Sequence, residues 1–197
     1  MKKLKYIFVL FTLLISLNGY SQSFYTNLSY DMSLPMGQTK DFTSRTSFRG
    51  FSFDLGKYVT DELAVDLRFS WHVFYEDLPT DSYVDGTTTI TGKKYNYINS
   101  FPMTLGLKYI MNSGSHFSPY GGAGIGAYKI DERTDMGIYT DETRQWHFGA
   151  YPEIGFVYEF SYGVGLNVFA RYDYAFKAGT TTSHSYLTFG IGFHFMN

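Results

Sequence analysis

The chain closes on YLTFGIGFHFMN, residues 186–197. Every second residue from Leu187 is apolar: Leu187, Phe189, Ile191, Phe193 and Phe195. The interleaved set, Tyr186, Thr188, Gly190, Gly192 and His194, is small or polar. Side chains alternate between the faces of a strand, so this stretch has one greasy aromatic face and one lean polar face.

The same alternation recurs seven times upstream. Phe24, Thr26, Leu28, Tyr30, Met32 and Leu34 oppose Tyr25, Asn27, Ser29, Asp31 and Ser33. In the second run, Phe51, Phe53 and Leu55 oppose Ser52, Asp54 and Gly56. The third sets Leu63, Val65, Leu67, Phe69, Trp71, Val73 and Tyr75 against Ala64, Asp66, Arg68, Ser70 and His72. The fourth aligns Tyr95, Tyr97, Phe101, Met103, Leu105, Leu107 and Tyr109. The fifth alternates Gly122, Gly124 and Gly126 with Ala123, Ile125 and Ala127. In the sixth, Trp146, Phe148, Ala150, Ile154, Phe156 and Tyr158 oppose His147, Gly149, Glu153 and Gly155. The seventh has Val164, Leu166, Val168, Ala170, Tyr172 and Tyr174 against Asn167, Arg171 and Asp173.

These runs predict eight strands of about 11–15 residues, beyond the ~5–6 usual in soluble proteins and enough for the ~9–11 a tilted membrane strand needs. The connections predicted at 59–62, 110–116 and 159–163 are short. Those at 35–44, 76–93 and 130–143 read as long loops, and the one at 177–183 as intermediate. Short turns at one end and long loops at the other are the pattern of an outer-membrane barrel. The fold class expected is all-β: an eight-stranded antiparallel up-and-down transmembrane β-barrel.

Composition agrees. Aromatic residues make up 20% of the 197 and charged residues only 17%, against roughly 25% charged in soluble domains. The mean hydropathy is nevertheless slightly negative, as strands with one polar face require. Lys2, Lys3 and Lys5 precede a short apolar run, and Gly19 and Ser21 are small. Residues 1–21 therefore read as a signal peptide and 22–197 as the barrel domain. Cleavage would leave 13 basic residues against 18 acidic, a net charge of −5, which argues against nucleic acid as a partner. No Cys is present, so disulfides and thiolate metal sites are excluded.

Three features point the apolar face outward. The polar face is rich in Gly, which a crowded eight-strand lumen requires and a solvated strand does not. It also carries charges of both signs that can pair inside: Asp31, Asp54, Asp66, Arg68, Lys108, Glu153, Arg171 and Asp173. Aromatics gather near both ends of the apolar face, as in the girdles of lipid-facing barrels. Trp71, Tyr75, Tyr95, Tyr97, Trp146, Tyr172 and Tyr174 form the outer set, and Phe24, Tyr109, Phe117, Tyr158 and Phe195 the inner. A soluble barrel holding a greasy ligand would need the opposite orientation.

SPYGGAGIGAY (118–128), DELAVDLRFSW (61–71) and LTFGIGFHF (187–195) resemble the small outer-membrane barrels of the OmpA transmembrane-domain, OmpX and OmpW type, porin-like outer membrane proteins with a β-barrel domain. The resemblance spans residues 22–197. It implies the outer membrane of a Gram-negative bacterium, with outer-membrane lipid and lipopolysaccharide as surroundings. It also implies a barrel-assembly machinery that reads the last strand, Leu187, Phe189, Ile191, Phe193 and Phe195. A monomer is expected.

No catalytic motif stands out. GAGIGA (122–127) matches a nucleotide-binding pattern, but its glycines alternate within a strand and no helix follows. The five His are too scattered to specify a metal site. His184 and Ser185 are adjacent, so alternation sends them to opposite faces, a poor start for a Ser–His–acid deacylase. Basic residues of the outer rim, among them Arg45, Lys93, Lys129, Arg133 and Arg144, are suited to lipopolysaccharide phosphates, yet acids such as Asp77, Asp131, Asp135 and Asp141 are interspersed. The expectation is a non-enzymatic barrel without cofactors or metals, structural or surface-interacting, its lumen filled by the charge network. The alternative is a narrow passage for small solutes or hydrophobic compounds, and the third reading a lipid A-modifying enzyme.

Overall fold

The computed structural model describes residues 24–85, 88–112 and 115–197. The predicted signal peptide lies outside them. The strands are β1 (Phe24–Met36), β2 (Ser47–Tyr58), β3 (Leu63–Asp85), β4 (Thr88–Ile110), β5 (Phe117–Met136), β6 (Tyr139–Ser161), β7 (Val164–Ala175) and β8 (His184–Met196), with one short helix, α1 (Gly37–Phe42), after β1. Each strand pairs antiparallel with the next, and β1 pairs with β8 to close the ring. Closure satisfies the backbone hydrogen bonds that lipid cannot. No helix among the described residues is long and apolar enough to cross a membrane.

The closing stretch sits as its alternation requires. Phe189, Ile191, Phe193 and Phe195 are exposed on the outer wall, while Tyr186, Thr188, Gly190, Gly192 and His194 are buried inside. Phe195 pairs with Thr26 and Leu187 with Leu34 across the closing seam.

The inward glycines accommodate rings. A Cβ at Gly56 would collide with Tyr25, one at Gly190 with Phe169, and one at Gly155 with Tyr120. Each of these glycines is the cross-strand partner of the ring it accommodates. A lumen this narrow holds large aromatics only where the neighbouring strand has no side chain.

Two expectations about the loops are corrected. Residues 76–93 and 130–143 are largely strand. β3 and β4 continue as a paired hairpin to Asp85 and Thr88. β5 and β6 pair as far as Met136 and Tyr139, around a turn where Gly137 takes φ +62°. Four strands therefore reach 20–23 residues. Apolar alternation ends where lipid contact ends, but the hydrogen-bond ladder has no reason to stop there. The third long loop, 35–44, holds the end of β1 and α1. One wall, β3 to β6, thus stands taller than the other at the end opposite the termini.

Candidate functional site: the lumen

The interior is layered. At the tall end, Phe74, Ile98, Tyr128, Ile130, Ala175 and Tyr186 form an apolar layer against which Phe42 of α1 packs. At the termini end, Tyr25, Ala64, Ile110, Tyr120 and Phe169 form a second, supported by Tyr58, Val157 and Met196. Between them lie five buried acids, Asp31, Asp54, Asp66, Glu153 and Asp173, and three buried cations, Arg68, Lys108 and Arg171.

Arg68 is the hub. Its Nε and Nη2 donate to both oxygens of Asp54, at 2.5 and 2.6 Å. Nη2 also donates to Glu153 Oε1 at 3.1 Å, and Nη1 donates to Glu153 Oε2. One planar guanidinium thus bridges two carboxylates, which a lysine cannot do with the same geometry. Lys108 Nζ lies 3.2 Å from Asp54, 3.2 Å from Asp66 and 3.6 Å from Glu153. Arg171 Nε donates to Asp173 at 2.8 Å, and its Nη2 lies 3.3 Å from His72 Nε2. Asp31 accepts from Ser52 at 3.2 Å and lies 3.9 Å from His72.

All seven lumen acids and bases predicted as one network, and Lys108 with them, are inside the barrel. The network is also lined by the rings of Tyr25, Tyr120, Tyr128, Tyr151 and Phe169, of which the sequence pattern places only Tyr25 inward. Tyr151 and Phe169 carry both guanidinium groups, with Arg68 at 5.4 and 5.2 Å from their centroids and Arg171 at 5.5 Å from each. Such contacts strengthen when desolvated. Tyr25 donates to Asp66 at 3.1 Å, Tyr120 to Asn167 at 3.0 Å and Tyr128 to Asp173 at 3.0 Å. A signal for two of them was present: Tyr151 continues the period from Gly149 to Glu153, and Phe169 lies between Asn167 and Arg171.

α1 covers the tall end. Gln38 Oε1 accepts from Ser183 N and Oγ at 2.9 and 2.8 Å, Thr39 Oγ1 accepts from Ser185 N at 2.9 Å, and Asn96 donates to Phe42 O at 2.7 Å. Ser185 is therefore buried beneath α1, although it neighbours the inward His184. Neither ring nitrogen of His184 has a hydrogen-bond partner among the described residues; Glu132 lies 3.8 Å away. Among the described residues no three His, Cys, Asp or Glu converge as metal ligands.

The predicted girdle residues lie on the outer wall. Trp71 and Trp146 are exposed and Tyr75, Tyr95, Tyr97, Tyr172 and Tyr174 half-buried towards the tall end; Tyr109, Tyr158 and Phe195 are exposed towards the termini. Above them, several rim cations pair with acids: Arg45 and Lys93 with Asp77 at 2.6 and 3.2 Å, Arg133 with Asp135 at 2.9 Å, and Arg144 with Glu142 at 2.6 Å. The hydrogen bond from Lys93 holds the Asp77 carboxyl below the usual range, and Arg133 does the same for Asp135.

An eight-stranded closed barrel with an aromatic, lipid-suited exterior and a packed ionic interior defines a small outer-membrane barrel protein. The sequence places it further: residues 7–195 match the outer membrane protein beta-barrel domain, and the chain belongs to that family. Solved structures agree on the fold. Neisserial surface protein A is 17% identical, with 88% of this chain and 96% of that one covered and a TM-score of 0.56. OprG from Pseudomonas aeruginosa is 17% identical, with 92% and 98% covered and a TM-score of 0.56. Outer membrane protein W of E. coli is 18% identical, with 90% and 98% covered and a TM-score of 0.52. No curated protein matches the chain.

Proposed function

We propose that this is a non-enzymatic outer-membrane barrel whose lumen is a structural plug and whose tall end meets partners at the cell surface. One observation carries the reading: the ionic layer is enclosed between two apolar layers, with α1 bound over the upper one. An ion crossing this lumen would have to break charge pairs that hold each other out of water. Lipopolysaccharide and outer-membrane lipid are the surroundings this reading gives the wall and rim. The assembly machinery would read β8, and the barrel works as a monomer.

The test is single-channel recording of the refolded protein in a planar bilayer, after the shift in mobility between unboiled and boiled samples shows it folded. A silent barrel is expected. Discrete current steps would replace this reading with the narrow pore.

A second reading, passage of small hydrophobic compounds, has one observation in its favour. The outer wall carries an apolar recess of about 610 Å³ lined by Val65, Leu105, Leu107, Ile125 and Pro152, and reaching Tyr151. On that reading Asp66→Ala or Arg68→Ala alters flux of an apolar tracer into vesicles; unchanged flux counts against it.

A further inference from the structure

His184 opens β8 at the tall end. It is 2% exposed, and neither ring nitrogen makes a hydrogen bond among the described residues. Glu132 Oε1 of β5 lies 3.8 Å from Nε2, too far for a hydrogen bond. The ring of His147 of β6 stands edge-to-face at 5.2 Å. His147 is itself fastened: its Nδ1 lies 2.9 Å from Phe176 O, so that nitrogen carries the hydrogen, and its Nε2 lies 3.5 Å from Thr181 Oγ1. A proton added to His184 would be a buried charge without a hydrogen-bonded partner, which is the costly form of burial.

The residues on either side of His184 hold α1. Ser183 N and Oγ donate to Gln38 Oε1, and Ser185 N donates to Thr39 Oγ1. A third bond, from Asn96 to Phe42 O, holds the far end of α1. Beyond it the chain is tied to β3: Ser44 N and Oγ donate to Glu76 at 2.6 Å, and Arg45 pairs with Asp77. Gln38 and Thr39 can therefore leave β8 while the Phe42 end stays tied.

We infer that His184 is an acid-operated latch: on taking a proton it lets Gln38 and Thr39 of α1 off β8 and uncovers the apolar layer beneath. Water reaches an imidazolium at this position only if α1 and the 177–183 connection move aside. The groups around it that titrate are few. Glu132 and His147 face it from β5 and β6. The inward titratable groups below it on β7 and β8 are Asp173, bound to Arg171, and Tyr186, bonded to Ser100. β4 offers Asn96 and Ile98, which do not titrate. α1 buries Thr39 and leaves Lys40 and Asp41 exposed, and Lys177 of the connection is exposed too.

His184 precedes Ile191 by seven residues. That is about 17 Å of height for a tilted strand, above the half-height of an apolar band about 25 Å tall. Burial, with His147 beside it, holds the imidazole down at about 4, against about 6.5 in water. The latched state thus binds this proton more weakly than the released one, so release grows as pH falls from about 6.5 towards 4. Burial raises the Glu132 carboxyl. Glu132 is therefore protonated more readily in the latched state and opposes release at the acid end.

Amide hydrogen exchange of the full barrel in lipid nanodiscs tests this, followed by NMR at pH 7.5 and 4.5 with the intrinsic rate at each pH divided out. Protection at Ser183 and Ser185, whose N–H groups bond to α1, should fall about tenfold or more at pH 4.5, while Ile191 keeps its own. His184→Phe cannot charge and suits the apolar layer, so protection should hold at both pH values. Glu132→Gln should deepen the fall. His184→Gln serves if His184→Phe fails the mobility-shift check of folding. Unchanged protection in the parent chain overturns the latch, and a fall that persists without His184 overturns its assignment as the sensor. A fall shared by Ile191 would be a general loosening of the barrel and would overturn it too. The inference goes beyond the plug, because the ionic layer lies beneath α1: a silent barrel is expected at both pH values, and a conducting one loses the plug and keeps the latch.

Discussion

Arg68 of β3 and Glu153 of β6 are 85 residues apart in sequence, on strands three places apart around the ring, and their side chains meet across the lumen. The pair ties two walls that share no backbone hydrogen bond. Removing one partner of such a pair leaves the other charged and buried, the costly way to break it.

Arg68→Met should therefore destabilise the folded barrel by about 3–5 kcal/mol, because Asp54 and Glu153 lose a shared cation. Urea unfolding in lipid vesicles measures it. Arg68→Lys should recover only part of the loss, since an ammonium cannot bridge two carboxylates in one plane. A change within about 0.5 kcal/mol for Arg68→Met would show that the ionic layer is not what holds the walls together.

Gly190→Val sets a side chain where the Phe169 ring lies, and that ring also packs on both guanidinium groups. Overpacking should cost about 1–3 kcal/mol. Phe169→Leu combined with Gly190→Val should recover part of it. Failure of the double variant to improve on the single one would count against the ring-on-glycine fit.

Ile191 faces outward at the middle of β8. Ile191→Arg should cost about 2–4 kcal/mol if that point lies at the lipid midplane. Thr182→Arg, in the exposed connection before β8, should change stability by less than about 0.5 kcal/mol. Equal effects from the two would contradict the assignment of the outer wall to lipid.

Replacing Gln38–Phe42 by Gly and Ser should leave the barrel folded and still silent in a planar bilayer, because the apolar and ionic layers lie beneath α1. Current steps confined to this variant would make α1 a gate.

The rim pairs predict a pH response. The Asp77 and Asp135 carboxyls sit below their usual range when folded, so their contribution is fully present above the unfolded value, near 3.9. It is lost as pH falls through the lower folded values. Limited trypsin cleavage at Arg45 and Arg133 should thus be constant from about pH 5 to 8 for conformational reasons, once scaled to the protease's own activity on a short substrate. A rise in scaled cleavage already at about pH 5 would show that these pairs do not order the hairpins.

The sequence alone determined the strand count, the antiparallel closure and which face of each strand turns inward. Those follow from a period of two residues that lipid outside and a crowded lumen inside both enforce. It also determined the members of the ionic layer, since a charge on the inward face of Arg68 or Asp173 has nowhere else to go. Only the tertiary structure decided who pairs with whom. Arg68 and Glu153, or Tyr151 and the two guanidinium groups, meet through the shear and diameter of the closed ring, which no local pattern encodes. The extended hairpins escaped sequence reading for a related reason. Beyond the lipid, alternation of polarity stops being required, yet cross-strand hydrogen bonding continues, so 76–93 and 130–143 look like loops and fold as strands. The node at His184 exists because α1, the connection after β7 and β6 meet over one end of the ring, a meeting that appears once the ring is closed.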